Sequence, residues 1–207
     1  YLYKAHWMPD EPMVHILPHW NFPDRIGEVT PVFVYTSGDE AELFLNGKSL
    51  GRKKKRLYEY RLKWEDVVYL PGELKAVAYK NGKKWAEAQV ATTGKAVALK
   101  LTPDKQLVRS NGDDLVFVRV SLVDALGREV PTAENVISCK LEGKGRIVAT
   151  DNGDPTCLIP FQNSVRPAFN GLLLAIVKPD YGEEGLLRLM VEAEGMPRQE
   201  LKIKVKK

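Results

Sequence analysis

An all-β fold in two consecutive sandwich domains is predicted from three observations. Apolar residues recur with period two in short runs, as they do on strands with one buried and one wet face. Gly, Pro, Asn and Asp, the residues that turns require, separate those runs. No segment keeps a helical period over the ~11 residues that a helical reading needs. At 207 residues, the chain suits two sandwiches of about 100 residues, each large enough to bury its own core.

The opening "YLYKAHW" lacks an initiator methionine and is dense in aromatics. It reads as the end of a helix that begins upstream, so the chain is expected to be a piece of a longer protein, with residues 1–12 a linker from the part that precedes it. "HILPHWNFPDR", His15 to Arg25, is unlike its surroundings, with two histidines, a tryptophan and two prolines. Pro18 should end any strand there, because it cannot donate to a ladder. "EVTPVFVYT" (28–36) and "AELFLNGKSLG" (41–51) are strand-like, and Asn46-Gly47 in the second is a hairpin signal because both residues tolerate positive φ. "ELKAVAYKNGKKWAEAQV" (73–90) repeats the device at Asn81-Gly82, with Leu74, Ala76 and Ala78 on one face and Val77 and Tyr79 on the other.

"TTGKAVALKL" breaks the strand pattern at Thr92, Thr93 and Gly94, which sets the domains at 1–94 and 95–207. Beyond it come "AVALKLTP", "LVFVRVSLVDALG", "NVISCKLEG", "GRIVAT", "GLLLAIVKP", "GLLRLMVEAEG" and "ELKIKVKK". Seven such runs describe an immunoglobulin-like sandwich. In the last, Leu201, Ile203 and Val205 alternate with Lys202, Lys204 and Lys206, an inner and a solvated face.

Composition narrows the chemistry. Thirty-one basic against 27 acidic residues give a net charge of +4, too even a balance to point to nucleic acid. No apolar run approaches the roughly 20 residues of a bilayer span. The basic block in "GRKKKRLYEYR" (51–61) reads as an exposed strand edge, where lysines discourage edge pairing. "ATDNGDPT" (149–156) lacks the alternating oxygen ligands and closing glutamate of a calcium loop, and reads as a turn. His6, His15 and His19 have no cysteine or further ligand at zinc spacing, so no metal is assigned. Cys139 is in phase with Ile137 and Leu141 and reads as core; Cys157 lies among turns, and a bridge between the two is not expected. No nucleophile beside a histidine, phosphate loop or carboxylate pair stands out. No catalytic residue and no cofactor are therefore assigned.

"HILPHWNFPDRIGEVTPVFVYTSGDEAELFLNGKSLGRKKK" closely resembles the stretch that follows the catalytic barrel in bacterial glycoside hydrolase family 2 enzymes of the β-galactosidase type. "DNGDPTCLIPFQNSVRPAFNGLLLAIVK" resembles the immunoglobulin-like domain that ends many of them. The resemblance spans nearly the whole chain. It implies a partner, the catalytic barrel of the same polypeptide, carrying the two glutamates that retaining hydrolysis needs. None of the glutamates here sits in the family's catalytic motifs, so this piece alone should be inactive. Cys157 stands where relatives are expected to be polar.

Two functions follow from the resemblance and the residues. One is a structural accessory region that stabilises the barrel, its substrate cleft or an interface between copies of the enzyme. The other is a carbohydrate-binding module that stacks a sugar on tryptophan, with His19, Trp20 and Asn21 the best-placed residues and Trp7, Trp64 and Trp85 the alternatives. A third, an adhesin-like array, suits only the second domain. The resemblance further implies a periplasmic or secreted bacterial enzyme.

Overall fold

The computed structural model describes every residue from Tyr1 to Lys207. They form two compact units, Tyr1–Thr92 and Thr93–Lys207. No helix is long and apolar enough to cross a membrane.

Unit 1 opens with a short helix, α1 (Leu2–Trp7), and continues through β1 (Val14–Leu17), a 3-10 turn (Pro23–Arg25), β2 (Val32–Thr36), β3 (Glu40–Leu45), β4 (Lys48–Lys54), β5 (Leu62–Trp64), β6 (Glu73–Lys80) and β7 (Lys83–Ala91). Two antiparallel sheets result, ordered β1-β2-β5 and β4-β3-β6-β7. Their inner faces share one core: Ile16, Val32, Val34, Leu62 and Trp64 come from the first sheet, and Ala41, Leu43, Leu45, Leu74 and Ala76 from the second. Alternation makes this possible, since a strand turns every second side chain to the same face. Val32 and Val34 are buried while Phe33 and Tyr35 are half-exposed. Each buried Leu or Val contributes about 1.5–3 kcal/mol over an exposed one.

Both hairpins form at the Asn-Gly pairs. Asn46 and Gly47 have φ of 48° and 80°, and Asn81 and Gly82 have 51° and 76°, the doubly left-handed turn whose twist matches the flanking strands. Asn46 also reaches across the unit: Oδ1 accepts the Glu73 N–H at 2.8 Å and Nδ2 donates to the Pro71 carbonyl at 3.1 Å. The basic block falls on β4, an exposed edge strand of its sheet, as its charge predicts.

Unit 2 contains β8 (Ala98–Pro103), β9 (Leu107–Arg109), β10 (Val116–Val123), β11 (Val136–Glu142), β12 (Gly145–Asp151), β13 (Val165–Pro167), β14 (Leu172–Pro179), β15 (Gly185–Ala193) and β16 (Gln199–Lys206). One sheet runs β12-β14-β10-β8 and the other β13-β11-β15-β16-β9. Every pair is antiparallel except β16 with β9. The seven strand-like runs are all present, and two three-residue strands, β9 and β13, join them. Val118, Val120, Leu122, Leu173, Ala175 and Val177 face Ile137, Leu187, Leu189, Val191 and Ile203 across the core. Cys139 lies in that core and Cys157 is half-buried; both thiols are free. Burial pushes the Cys139 thiol up to about 12, so it is protonated and unreactive in the folded state.

The turn after β10 is organised by one carboxylate. Asp124 accepts backbone N–H groups from Gly94 (3.1 Å), Leu126 (2.9 Å) and Arg128 (3.0 Å), and the Arg128 guanidinium donates through Nε (2.8 Å) and Nη2 (2.6 Å). The Arg128 side chain first, and these backbone donors with it, hold the Asp124 carboxyl far below its ordinary value. A depressed folded-state value stabilises the fold fully above the unfolded-chain value of about 3.9 and loses that contribution as pH falls through the folded value. Unit 2 should therefore lose stability progressively below about pH 4. Asp124→Asn should flatten that part of the curve while lowering the plateau near pH 7. Thermal melts from pH 2 to 7 check this, and parallel curves for the two proteins would refute it.

Candidate functional site

The segment singled out in the sequence, 15–25, is an anchor inside unit 1. β1 ends at Leu17, the following Pro18 has a cis peptide bond, and the chain turns so that Trp20 enters the core. Trp20 is 0% exposed. Its indole Nε1 donates to the Leu70 carbonyl at 3.0 Å, and its own carbonyl accepts the Thr92 hydroxyl at 2.8 Å. Thr92 Oγ1 in turn accepts the Gly72 N–H at 3.1 Å and lies 3.1 Å from the Tyr69 hydroxyl. Tyr69 meets Trp20 and Phe22 edge to face, with centroids at 4.9 and 5.7 Å. Such pairs add about 0.5–1.5 kcal/mol beyond burial.

The sugar-stacking expectation is corrected at this point. Aromatic rings bury readily when their polar atom finds a partner, and the Leu70 carbonyl supplies one, so no face of the Trp20 indole is open to a pyranose. Asn21 is also buried, its N–H donating to His19 Nδ1 at 3.2 Å. His19 stacks on Phe22 at 4.5 Å and is half-buried, and that burial lowers its pKa. Of the alternatives, Trp64 is core, with Nε1 donating to the Leu50 carbonyl at 3.2 Å. Trp85 is half-buried, donates to Ser37 Oγ at 2.8 Å and carries the Lys80 ammonium 4.7 Å from its ring. Trp7 alone is widely open, at 76% exposure.

The histidines are occupied as well. Tyr1 stacks on His15 at 3.5 Å, and His6 meets Tyr60 edge to face at 5.3 Å. No group of three His, Cys, Asp or Glu side chains is placed to hold a metal.

In unit 2 the "DNGDPT" segment is a chain of side-chain-closed turns. Asp151 Oδ1 accepts the Gly153 N–H (3.0 Å), Asn152 Oδ1 the Asp154 N–H (3.1 Å) and Asp154 Oδ1 the Thr156 N–H (2.9 Å). These oxygens point at their own backbone, as turns of this composition do. The segment beyond is held by a residue that the sequence reading passed over. Arg166 is 1% exposed. It donates from Nε to Thr150 Oγ1 (3.3 Å), from Nη1 to Cys157 Sγ (3.0 Å), and from Nη2 to the carbonyls of Ile159 (2.8 Å) and Pro160 (3.0 Å). A signal was present: on β13 Arg166 sits in phase with buried Ala168, hence on the inward face.

A third region lies where the basic run ends. Residues 55–61 leave the sheet after β4 and return to β5, and Leu57, Tyr58 and Tyr60 stay exposed. They border an open hollow of about 530 Å³ together with Tyr35, Arg56 and Arg61.

Fold and surface define a class: paired immunoglobulin-like β-sandwich modules, whose internal polar groups are largely spent on turns and whose open aromatics in unit 1 lie at α1 and on the 55–61 loop. Residues 99–202 match the model of glycoside hydrolase family 2 C-terminal domain 5, and residues 27–86 match a domain of unknown function. The chain belongs to glycoside hydrolase family 2. It is 37% identical to a β-galactosidase of Bacteroides ovatus, over 98% of this chain and 23% of that protein. It is 31% identical to a β-glucuronidase of Formosa agariphila, over 69% of this chain and 14% of that protein. The crystal structure of a β-glycosidase from Bacteroides vulgatus superimposes with a TM-score of 0.91 at 33% identity, covering 99% of this chain and 26% of that one. The chain thus spans about a quarter or less of the length of these relatives.

Proposed function

We propose that this chain is the non-catalytic accessory region of a β-galactosidase- or β-glucuronidase-type glycosidase, and that it supports the catalytic barrel of the same polypeptide. One observation carries the reading: nearly the whole chain aligns with under a quarter of a β-galactosidase, and we infer that the reacting carboxylates belong to the remainder. In this reading the remainder holds the two glutamates that retaining hydrolysis uses. Support from the surface comes from α1, whose Ala5 faces inward while Tyr3 and Trp7 stay exposed and Tyr3 packs on Trp7 at 4.8 Å. Exposed aromatics gathered on one element are what a docking face presents.

The test uses the full-length enzyme and the isolated chain side by side. Tyr3→Ser/Trp7→Ser should destabilise the full-length enzyme by about 3 kcal/mol, the burial value of one to two large apolar side chains, and shorten its active lifetime on heating. The same pair should leave the melting of isolated 1–207 unchanged. A full-length enzyme indifferent to the substitutions would sink the proposal.

A further inference from the structure

The run from Arg52 to Lys63 holds seven basic residues and one acidic residue, Glu59. The fold divides these cations into two sets. Arg52 pairs with Glu40, Lys53 donates to the Lys63 carbonyl, and Lys55 turns inward to donate to the Thr36 carbonyl at 3.0 Å. Those three serve the sheet. Lys54, Arg56, Arg61 and Lys63 are not ion-paired. They line two adjoining open hollows of about 530 and 660 Å³, which share Arg56, Glu59 and Lys63.

The tyrosines at this site are held in place. Glu59 Oε2 accepts the Arg56 N–H at 2.9 Å, and the Glu59 N–H donates back to the Arg56 carbonyl at 3.0 Å, closing a tight turn. Within it Tyr58 has φ of 63°, the left-handed region that a bulky residue rarely adopts, and the residue is 79% exposed. Tyr60 is fixed from behind by His6, whose Nε2 lies 3.3 Å from the Tyr60 carbonyl. Arg61 rests over the Phe33 ring at 4.7 Å, and amphipathic rings beside guanidinium and ammonium groups without a carboxylate partner supply two complementary contacts. The ring face stacks on the C–H face of a sugar, and the planar guanidinium forms paired hydrogen bonds to a carboxylate or sulfate.

We propose that this face binds an acidic carbohydrate, a sugar chain bearing carboxylate or sulfate groups. The charge selects an anion, and the open tyrosines select one with an apolar ring face. Glu59 and Glu65 are the only carboxylates lining the hollows, and Glu59 is engaged by the turn. The site is separate from His19, Trp20 and Asn21, and it goes beyond the support of a barrel: failure here would leave that role standing.

Calorimetric titration of chain 1–207 at low salt tests it, with a galacturonate tetrasaccharide, a chondroitin sulfate tetrasaccharide, cellotetraose and an oligothymidylate of matched charge. At least one acidic sugar should bind ~10-fold or more tighter than cellotetraose, with an affinity that falls as salt rises. The better of the two names the anionic group. Arg56→Gln/Arg61→Gln should raise its Kd ~10-fold. Tyr58→Asn, which tolerates the left-handed backbone, should raise it ~5-fold by loss of stacking. Melting of unit 1 by tryptophan fluorescence should not move in either variant, which separates lost binding from lost fold. Binding of neither acidic sugar, equal binding of cellotetraose, oligothymidylate binding as tight as the sugars, or affinity unmoved by the variants would each overturn the proposal.

Discussion

Trp20→Ala should remove about 3–5 kcal/mol from the stability of unit 1, the range for deleting a fully buried large aromatic. Three losses combine. The ring leaves a cavity in a core shared by both sheets, Tyr69 and Phe22 lose their edge-to-face partner, and the Leu70 carbonyl loses its donor. For a domain with a total stability of about 5–15 kcal/mol, a loss of that size brings unfolding within reach of mild denaturant. All four tryptophans of the chain, Trp7, Trp20, Trp64 and Trp85, lie in unit 1, so indole fluorescence follows that unit alone. Urea titrations should show its midpoint fall sharply while unit 2 keeps its own transition, followed by labelling of buried Cys139. Trp85→Ala, at a half-buried ring, should cost about 1 kcal/mol. Equal effects of the two substitutions would refute the anchoring role of Trp20.

Arg166→Ala should destabilise unit 2 by about 3 kcal/mol and release the segment from Cys157 to Pro160. The guanidinium is buried with no carboxylate beside it, and its charge is instead spread over a hydroxyl, a thiol and two carbonyls. A weakly hydrated planar cation with a rigid fork of donors suits that task. An ammonium has neither the reach nor the fork, so Arg166→Lys should restore less than half of the loss. Released, Cys157 should react with a thiol reagent several-fold faster, ahead of any global unfolding that exposes Cys139. Thiol labelling followed by mass spectrometry resolves the two cysteines. An unchanged Cys157 rate in Arg166→Ala would show that the segment is held by other means.

The strands were legible where alternation or an apolar run lasted five or more residues, as in β2, β3, β6, β10, β14 and β16, and the Asn-Gly pairs fixed the two hairpins of unit 1. β9 and β13 escaped because three residues cannot establish a period of two. The position of the basic block on an edge strand was legible from its charge; the splitting of its cations into engaged and open sets was not. That division depends on carbonyls of Thr36 and Lys63, outside the block or at its far end. Trp20 looked available because Pro18, His19, Asn21 and Pro23 around it are turn residues, and composition reports the backbone of a turn, not the direction of one side chain. Its partner Leu70 lies fifty positions away. Arg166 was hidden by the opposite bias, since arginine is seldom fully buried, and its inward phase on a three-residue strand gave little to set against that prior.

The interior place of β16 has a consequence during synthesis. Every strand of unit 1 has been made by residue 91, so that unit can close while the ribosome is still translating the next. Unit 2 closes only when its own last strand has been made. Its five-stranded sheet has a gap between β15 and β9 until residues 199–206 arrive, and Ile203 and Val205 are needed to plug its core. A nascent or prematurely terminated chain lacking those eight residues would display two unpaired strand edges, β15 and β9, beside exposed valine and leucine. Such edges template pairing with other chains, so quality control should recognise the unfinished product by unit 2 even when unit 1 is complete.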